Sequence, residues 1–165
     1  MSSKIQTAIE DTLNLSKLKV RRAKMSDLDL IKINEEVAYN IPWSKELLND
    51  CLTKGEYYIC FVMLHENNII GHMIFQLVLD EIHLHNVCVV PKFQQQGFGH
   101  IWIDYLYDYA NKKNVRDIIL EVRVSNLKAK KLYAGRGFRE IGLRKNYYQA
   151  AVGKEDALVM KARVE

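Results

Sequence analysis

The sequence predicts a single mixed α/β domain, a strongly twisted sheet with helices on both faces. Three observations carry that prediction. Apolar residues switch repeatedly between a strand-like period of two and a helix-like period near 3.6. Residues 82–124 read as strand, glycine turn, long amphipathic helix and strand, which implies a right-handed crossover between parallel neighbours. The remaining strand-to-strand connections are short and favour antiparallel pairs. The expected order of elements is β-α-α-β-β-β-α-β-α-β-β.

Residues 1–16 carry no strong pattern and are expected to form an N-terminal extension to a domain spanning 17–165. Residues 17–22 read as a first strand. Ser26 is suited to cap a helix running to about Val37, with Asp27 and Asp29 in its first turn. Pro42-Trp43-Ser44 breaks the chain, and Ser44 can cap a second short helix through Leu52. Residues 57–64 and 69–79 are β-rich runs around a hairpin turn at His65-Glu66-Asn67-Asn68. Asp80-Glu81 turns the chain into a fourth strand, residues 82–90.

After Pro91, apolar residues at 98, 101, 102, 105, 106 and 109 mark one face of a helix. It ends near Lys112-Lys113-Asn114, where Asn114 suits a left-handed cap. Residues 116–124 alternate, with Leu120, Val122 and Val124 on one face and Ile119, Glu121 and Arg123 on the other. Ser125-Asn126 starts a helix that closes before Gly137. Residues 138–144 and 157–160 supply two last strands, separated by a loop holding Tyr147 and Tyr148.

A chain of 165 residues, 48% apolar and 27% charged, is ordinary for one globular domain. No apolar run approaches the roughly 18 to 20 residues of a membrane span, and Met1-Ser2-Ser3-Lys4-Ile5-Gln6-Thr7 has no signal-peptide core. A cytoplasmic protein with no membrane partner is expected. Cys51, Cys60 and Cys88 are widely spaced within apolar segments and read as buried, reduced thiols, with no metal spacing among them. Val87 and Val89 flank Cys88 and no histidine is adjacent on its own face of the strand, so packing is its expected role. Of 24 Lys/Arg, fourteen fall in residues 111–165, against six of the 20 Asp/Glu. That asymmetry permits attraction of cofactor phosphates or RNA to the later part and of a basic peptide to the earlier part.

Chemistry concentrates in two stretches. In Gln94-Gln95-Gln96-Gly97-Phe98-Gly99-His100 a strand passes through a glycine turn into a helix, and free N–H groups at a positive helix end favour an anion. No Lys-Ser/Thr follows the second glycine, as a triphosphate loop requires, and the third glycine of the dinucleotide fingerprint is missing. Downstream, Asn126, Ala129 and Tyr133 share a helix face and suit a narrow ligand channel. The alternative for Tyr133 is a core aromatic with its hydroxyl satisfied.

Together, Gln94-x-x-Gly97-x-Gly99 and Asn126-x-x-Ala129-x-x-x-Tyr133-x-x-x-Gly137-Phe138 resemble the two signatures of the GNAT N-acetyltransferases, in the family's order. Pro42-Trp43-Ser44, Val78-Leu79-Asp80-Glu81, Leu120-Glu121-Val122-Arg123 and Asn146-Tyr147-Tyr148 narrow the resemblance, over residues 19–163. They point to the branch acting on protein N-terminal amines, and within it to enzymes that acetylate the N-terminal alanine of a small-subunit ribosomal protein, the eighteenth. The resemblance implies a GNAT-like fold and acetyl-CoA as co-substrate, with no metal. It implies that the amides of Gln95, Gln96, Gly97, Phe98, Gly99 and His100 hold the pyrophosphate, with Asn126 also bonding the cofactor. A backbone N–H among Val87, Cys88 and Val89 would meet the thioester carbonyl. Glu121 would be the base, Tyr133 the acid, and Tyr147 and Tyr148 the lining of the peptide entrance. A monomer with no direct nucleic-acid contact is implied. Four residues depart from the family pattern: Gln95 and His100 where arginine is common, Arg136 at a usual leucine position, and Gln149 at a frequent proline.

The acid–base demands are modest. An α-amine has a pKa of about 7.7 to 8.0, so roughly a tenth is neutral at pH 7, whereas lysine near 10.4 is almost wholly charged. One carboxylate, acting directly or through water, suffices for an N-terminal substrate. Two other readings stand beside this one. One is a broader N-terminal, small-amine or lysine acetyltransferase. The other is a non-catalytic module that binds coenzyme A or the ribosome.

Overall fold

The structure of the chain, a computed structural model, describes residues 15–165; the expected extension lies outside them except for its last two positions. The elements are β1 (Leu18–Arg22), α1 (Leu28–Ala38), α2 (Lys45–Thr53), β2 (Ile59–His65), β3 (Asn68–Val78), β4 (Glu81–Val89), α3 (Phe98–Lys112), β5 (Asp117–Arg123), α4 (Leu127–Ala134), β6 (Arg139–Gln149) and β7 (Lys154–Arg163). This is the expected order. The strands form one seven-stranded sheet in the order β1-β2-β3-β4-β5-β7-β6, with β4 and β5 parallel and the other neighbours antiparallel.

Helices cover both faces. On one, Phe98, Trp102, Ile103 and Leu106 of α3 and Tyr133 of α4 bury the larger core against Met73, Phe75, Ile82 and Leu120. On the other, Ile31 of α1 with Leu48 and Cys51 of α2 cover Cys60, Val62 and Ile74. All three cysteines are free and buried.

Local chemistry explains most boundaries. Ser44 caps α2 by accepting from Leu47 N at 3.1 Å. Glu66 and Asn67, at φ 50° and 68°, make the tight turn between β2 and β3. Asn114 ends α3 at φ 54°.

Two expectations are corrected. Ser26 does not cap α1, because Met25–Asp27 forms a 3-10 turn ahead of the helix. Asp27 holds that turn instead, accepting from Lys24 N at 2.7 Å and from both terminal nitrogens of Arg21 at 2.7 and 3.0 Å. The Arg21 guanidinium keeps its carboxyl below the usual carboxylate range. Tyr147 and Tyr148 lie in a strand and not in a loop. β6 runs through them because a bulge between Arg144 and Tyr148 absorbs the irregular residues, with Asn146 at φ 53° donating its N–H to Asp156 Oδ1 at 2.8 Å.

The feature that positions the site lies mid-sheet. β4 pairs with β5 only from Glu81–Asp117 to Leu84–Leu120. The register of β4 with β3 steps from Leu84 opposite Phe75 to Asn86 opposite Ile74, leaving His85 as an extra residue. A bulge bends its strand. It comes directly after the last β4–β5 pair, and beyond it the two strands part.

Candidate active site

The parting of β4 and β5 leaves an opening flanked by Val87, Cys88 and Val89 on one strand and Glu121, Val122 and Arg123 on the other. β5 is held by β7 over its whole length and β4 by β3 as far as Val89, so the two strands splay apart while each keeps its other neighbour. After β4, Pro91–Phe93 makes a 3-10 turn and Gly97 caps α3 at φ 90°. Gln95 is left-handed too, at φ 60°. Among the described residues, no backbone N–H from Gln95 to His100 has a hydrogen-bond acceptor. Consecutive free amides at the positive end of a helix form a ready anion site. Gln94 and Gln96 brace the turn through Nε2 bonds to the carbonyls of Val89 and Lys92, each at 2.8 Å. A Cβ on Gly99 would stand 3.0 Å from Leu132 Cδ2, so this glycine lets α4 pack close to α3.

The departures His100 and Arg136 meet at the edge of this turn. Arg136 Nε donates to His100 Nδ1 at 3.1 Å, and its terminal nitrogens grip Asp104 at 2.8 and 3.0 Å. Partial burial and the Arg136 charge lower the imidazole pKa, so His100 is neutral at pH 7 with its proton on Nε2.

Asn126 caps α4, its Oδ1 accepting from Ala129 N at 3.1 Å, and its Nδ2 has no partner among the described residues. Tyr133 is 9% exposed, with its ring 5.6 Å from that of Phe138. Its hydroxyl bonds no described residue, so the satisfied core phenol is not what the structure contains. Burial pushes its pKa up to about 12. Glu121 points from β5 with a side chain 18% exposed and pairs with Arg144 of β6 at 3.2 Å. Tyr148 lies close enough that the Glu121 charge adds to burial in raising its phenol well above the usual range, and the field of Tyr133 reaches it too. Tyr147 stands edge-on to Tyr148 at 4.9 Å, and Arg123 lies 4.4 Å over the Tyr148 ring. Arg123 is itself held by Glu155 at 3.1 Å. Glu121, Tyr133, Tyr147 and Tyr148 thus share one neighbourhood at the edge of the opening.

Sequence reasoning missed a buried polar group on the other face. Glu35 of α1 and His72 of β3 are each 1% exposed, and Asn86 of β4 is 8%. Glu35 Oε1 accepts from His72 Nε2 at 2.9 Å and from Asn86 Nδ2 at 2.6 Å, and its Oε2 accepts from Trp43 N at 3.0 Å. Burial alone would raise the Glu35 pKa, but the hydrogen bond and field of His72, with the other two donors, hold it below the ordinary range. His72 stands opposite Cys88 across β3 and β4, a neighbour invisible along one strand. Potential ligand atoms of Glu35, His72 and Cys88 lie within 4.8 Å of one another. However, both carboxylate oxygens already accept N–H groups, and the Cys88 thiol, kept protonated by burial, bonds the Asn34 carbonyl at 3.7 Å, so Glu35 and His72 are a hydrogen-bonded pair beside a separately bonded thiol. Beside it the Tyr39 hydroxyl donates to the Val87 carbonyl, at the lip of the opening. The signals available were Glu35 on the Ile31 face of its helix, four residues on, and a histidine inside an apolar strand.

Known proteins share this arrangement of elements. The Acetyltransferase (GNAT) family profile matches residues 27–138. The [ribosomal protein bS18]-alanine N-acetyltransferase of Escherichia coli (strain K12) is 38% identical over 126 residues, spanning 76% of this chain and 84% of that protein. The protein of that name from Haemophilus influenzae is 37% identical over 142 residues, 86% of this chain and 95% of its own. The crystal structure of the ribosomal-protein-S18-alanine N-acetyltransferase from Escherichia coli superposes with a TM-score of 0.84 at 34% identity, covering 90% of this chain and 94% of that one. With a family profile over more than half its length and relatives this similar, the chain belongs to the Acetyltransferase (GNAT) family.

Proposed function

We propose that this acetyltransferase moves the acetyl group of acetyl-CoA to the N-terminal α-amine of a protein, the alanine of ribosomal protein bS18 foremost, in the cytoplasm. The observation that carries the reading is the opening between β4 and β5. Unbonded amides lie at one end of it, and a carboxylate and buried phenols lie along its edge. The named activity of the E. coli and H. influenzae relatives supports the substrate.

The roles follow from the groups. The amides from Gln95 to His100 hold the diphosphate of the co-substrate, and Asn126 Nδ2 offers one further donor. A β4 amide among Val87, Cys88 and Val89, unpaired with β5, polarises the thioester carbonyl as negative charge develops on its oxygen. Glu121 takes the proton that the ammonium must lose, directly or through water, once Arg144 gives way. The freed amine attacks the carbonyl carbon, the C–S bond breaks, Tyr133 gives its proton to the departing sulfur, and the second proton that the nitrogen sheds on becoming an amide returns through water to the Tyr133 phenolate. Tyr133 suits this task because a phenol raised to about 12 keeps its proton at every working pH. Tyr147 and Tyr148 shape the entrance for the first residues of the peptide.

The test compares thiol release from acetyl-CoA with a peptide carrying a free N-terminal alanine and with an N-terminally blocked, lysine-containing peptide. Turnover confined to the first supports the reading. Equal turnover on both points to the broader acetyltransferase. Cofactor binding without thiol release points to a binding module.

A further inference from the structure

We propose that Glu35 is a positioning residue for the acceptor amine, a buried tether that fixes the segment from Tyr39 to Ser44 against β4. The inference rests on the transferase reading above and assigns a role to residues which that chemistry does not use.

The argument begins with the two faces of the sheet. The glycine turn and Tyr133 lie on the α3 and α4 side, where the co-substrate is expected. The opening passes through the sheet to the α1 and α2 side, and there its lip is Tyr39, whose hydroxyl occupies the Val87 carbonyl. The fields of Tyr133 and Tyr148 both reach the Tyr39 phenol, so the segment after α1 borders the reacting groups from the face opposite the cofactor. An incoming amine must approach the thioester there.

Two side chains of α1 grip that segment at Trp43, Lys32 Nζ donating to its carbonyl at 3.1 Å and Glu35 accepting its N–H, and only Glu35 also reaches the strands. Glu35 Oε2 accepts the Trp43 N–H, and Oε1 accepts His72 of β3 and Asn86 of β4. A single side chain thus ties the α1–α2 connection to the two strands behind the Val87 carbonyl. The network is a poor device for stability. Buried charge is costly to desolvate, and His72 Nδ1 and Asn86 Oδ1 remain buried with no partner. Apolar side chains would fill the same space without orphaned atoms. What they could not do is fix the loop's backbone at Trp43, which needs an acceptor of defined length and direction.

The experiment uses the full chain and Glu35→Gln. An amide at 35 turns one acceptor into a donor and confronts the N–H groups it must receive. The peptide KM is expected to rise about tenfold, with kcat and acetyl-CoA affinity within about twofold. Hydrogen exchange at the Trp43 amide should quicken at least about tenfold while amides of Ile59–His65 keep their protection. If Glu35→Gln fails to fold, Glu35→Met/His72→Leu, which removes the buried charge and its partner together, is read by the same measurements. A peptide KM within about twofold of wild type, or a joint loss of both substrates' affinities with protection lost across the sheet, overturns the proposal. Should the wild-type chain release no thiol with any peptide, the transferase reading falls by itself. The Trp43 amide still decides the tether: unchanged exchange in Glu35→Gln removes it.

Discussion

The two walls of the opening are built from opposite materials. The wall at the glycine turn is backbone, its amides from Gln95 to His100 without acceptors among the described residues. The wall toward α1 is side chain, and at its centre Glu35 has both oxygens filled by Trp43, His72 and Asn86. An unsatisfied surface gains by receiving a ligand, whereas a satisfied one gains nothing and keeps its shape. One wall is therefore a receptor and the other a frame. The groups proposed to react, Glu121 and Tyr133, sit between them: Glu121 is paired with the exposed Arg144, and the Tyr133 hydroxyl has no partner among the described residues.

Substitutions on either side should separate these roles. The largest effect belongs to Glu121→Gln, where turnover on an N-terminal alanine peptide should fall roughly 100-fold. Acetyl-CoA binding, measured by calorimetry, should stay within about twofold; turnover near wild type at neutral pH would remove this carboxylate from the chemistry. Tyr133→Phe should slow transfer by about tenfold or more. Its melting temperature should hardly move, because the hydroxyl has no partner to lose among the described residues. A variant that merely melts earlier would make Tyr133 a packing residue after all.

Gly97→Ala attacks the receptor wall alone. A side chain at φ 90° costs about 1 kcal/mol of strain, although a Cβ there meets no atom within 4 Å. Acetyl-CoA affinity should drop about fivefold with peptide KM unchanged; an equal rise in both constants would mean the walls are not independent.

The last effect concerns the core beneath α2. Burial raises the thiol pKa from 9.0 to about 11 at Cys51 and to about 12 at Cys60. The unfolded thiols ionise first as pH rises, so the unfolded state then holds fewer protons and stability declines from about pH 9 upward through the folded values. Thermal melts from pH 7 to 11 should show that decline. In Cys51→Ala/Cys60→Ala it should be shallower, and an identical slope would assign it to other groups.

The receptor wall and α4 were legible in the sequence because each is local. Gly97 needs only its own turn, and Asn126, Ala129 and Tyr133 only one helix. The element order was legible for the same reason, since periodicity is read within a segment. The frame was not, because Glu35, His72 and Asn86 come from three elements and only pairing brings them together. The strand at Tyr147 and Tyr148 was missed because left-handed Asn146 resembles a turn, yet its N–H finds Asp156 across a bulge and the ladder resumes. Residue type favours Ser26 as a cap, but Asp27 has Arg21 to anchor it. Tertiary partners decided each of these.

The extra residue at His85 does more than bend a strand. Ile82 and Leu84 turn toward α3, and in an unbroken strand Asn86 and Cys88 would follow them. The insertion reverses that parity, so Asn86 reaches Glu35 and Cys88 contacts the carbonyl of Asn34 on α1. Deleting His85 would zip β4 back onto β5 and, in the same stroke, hand valines to the polar pocket. The doorway and the lining of the room behind it are inherited together.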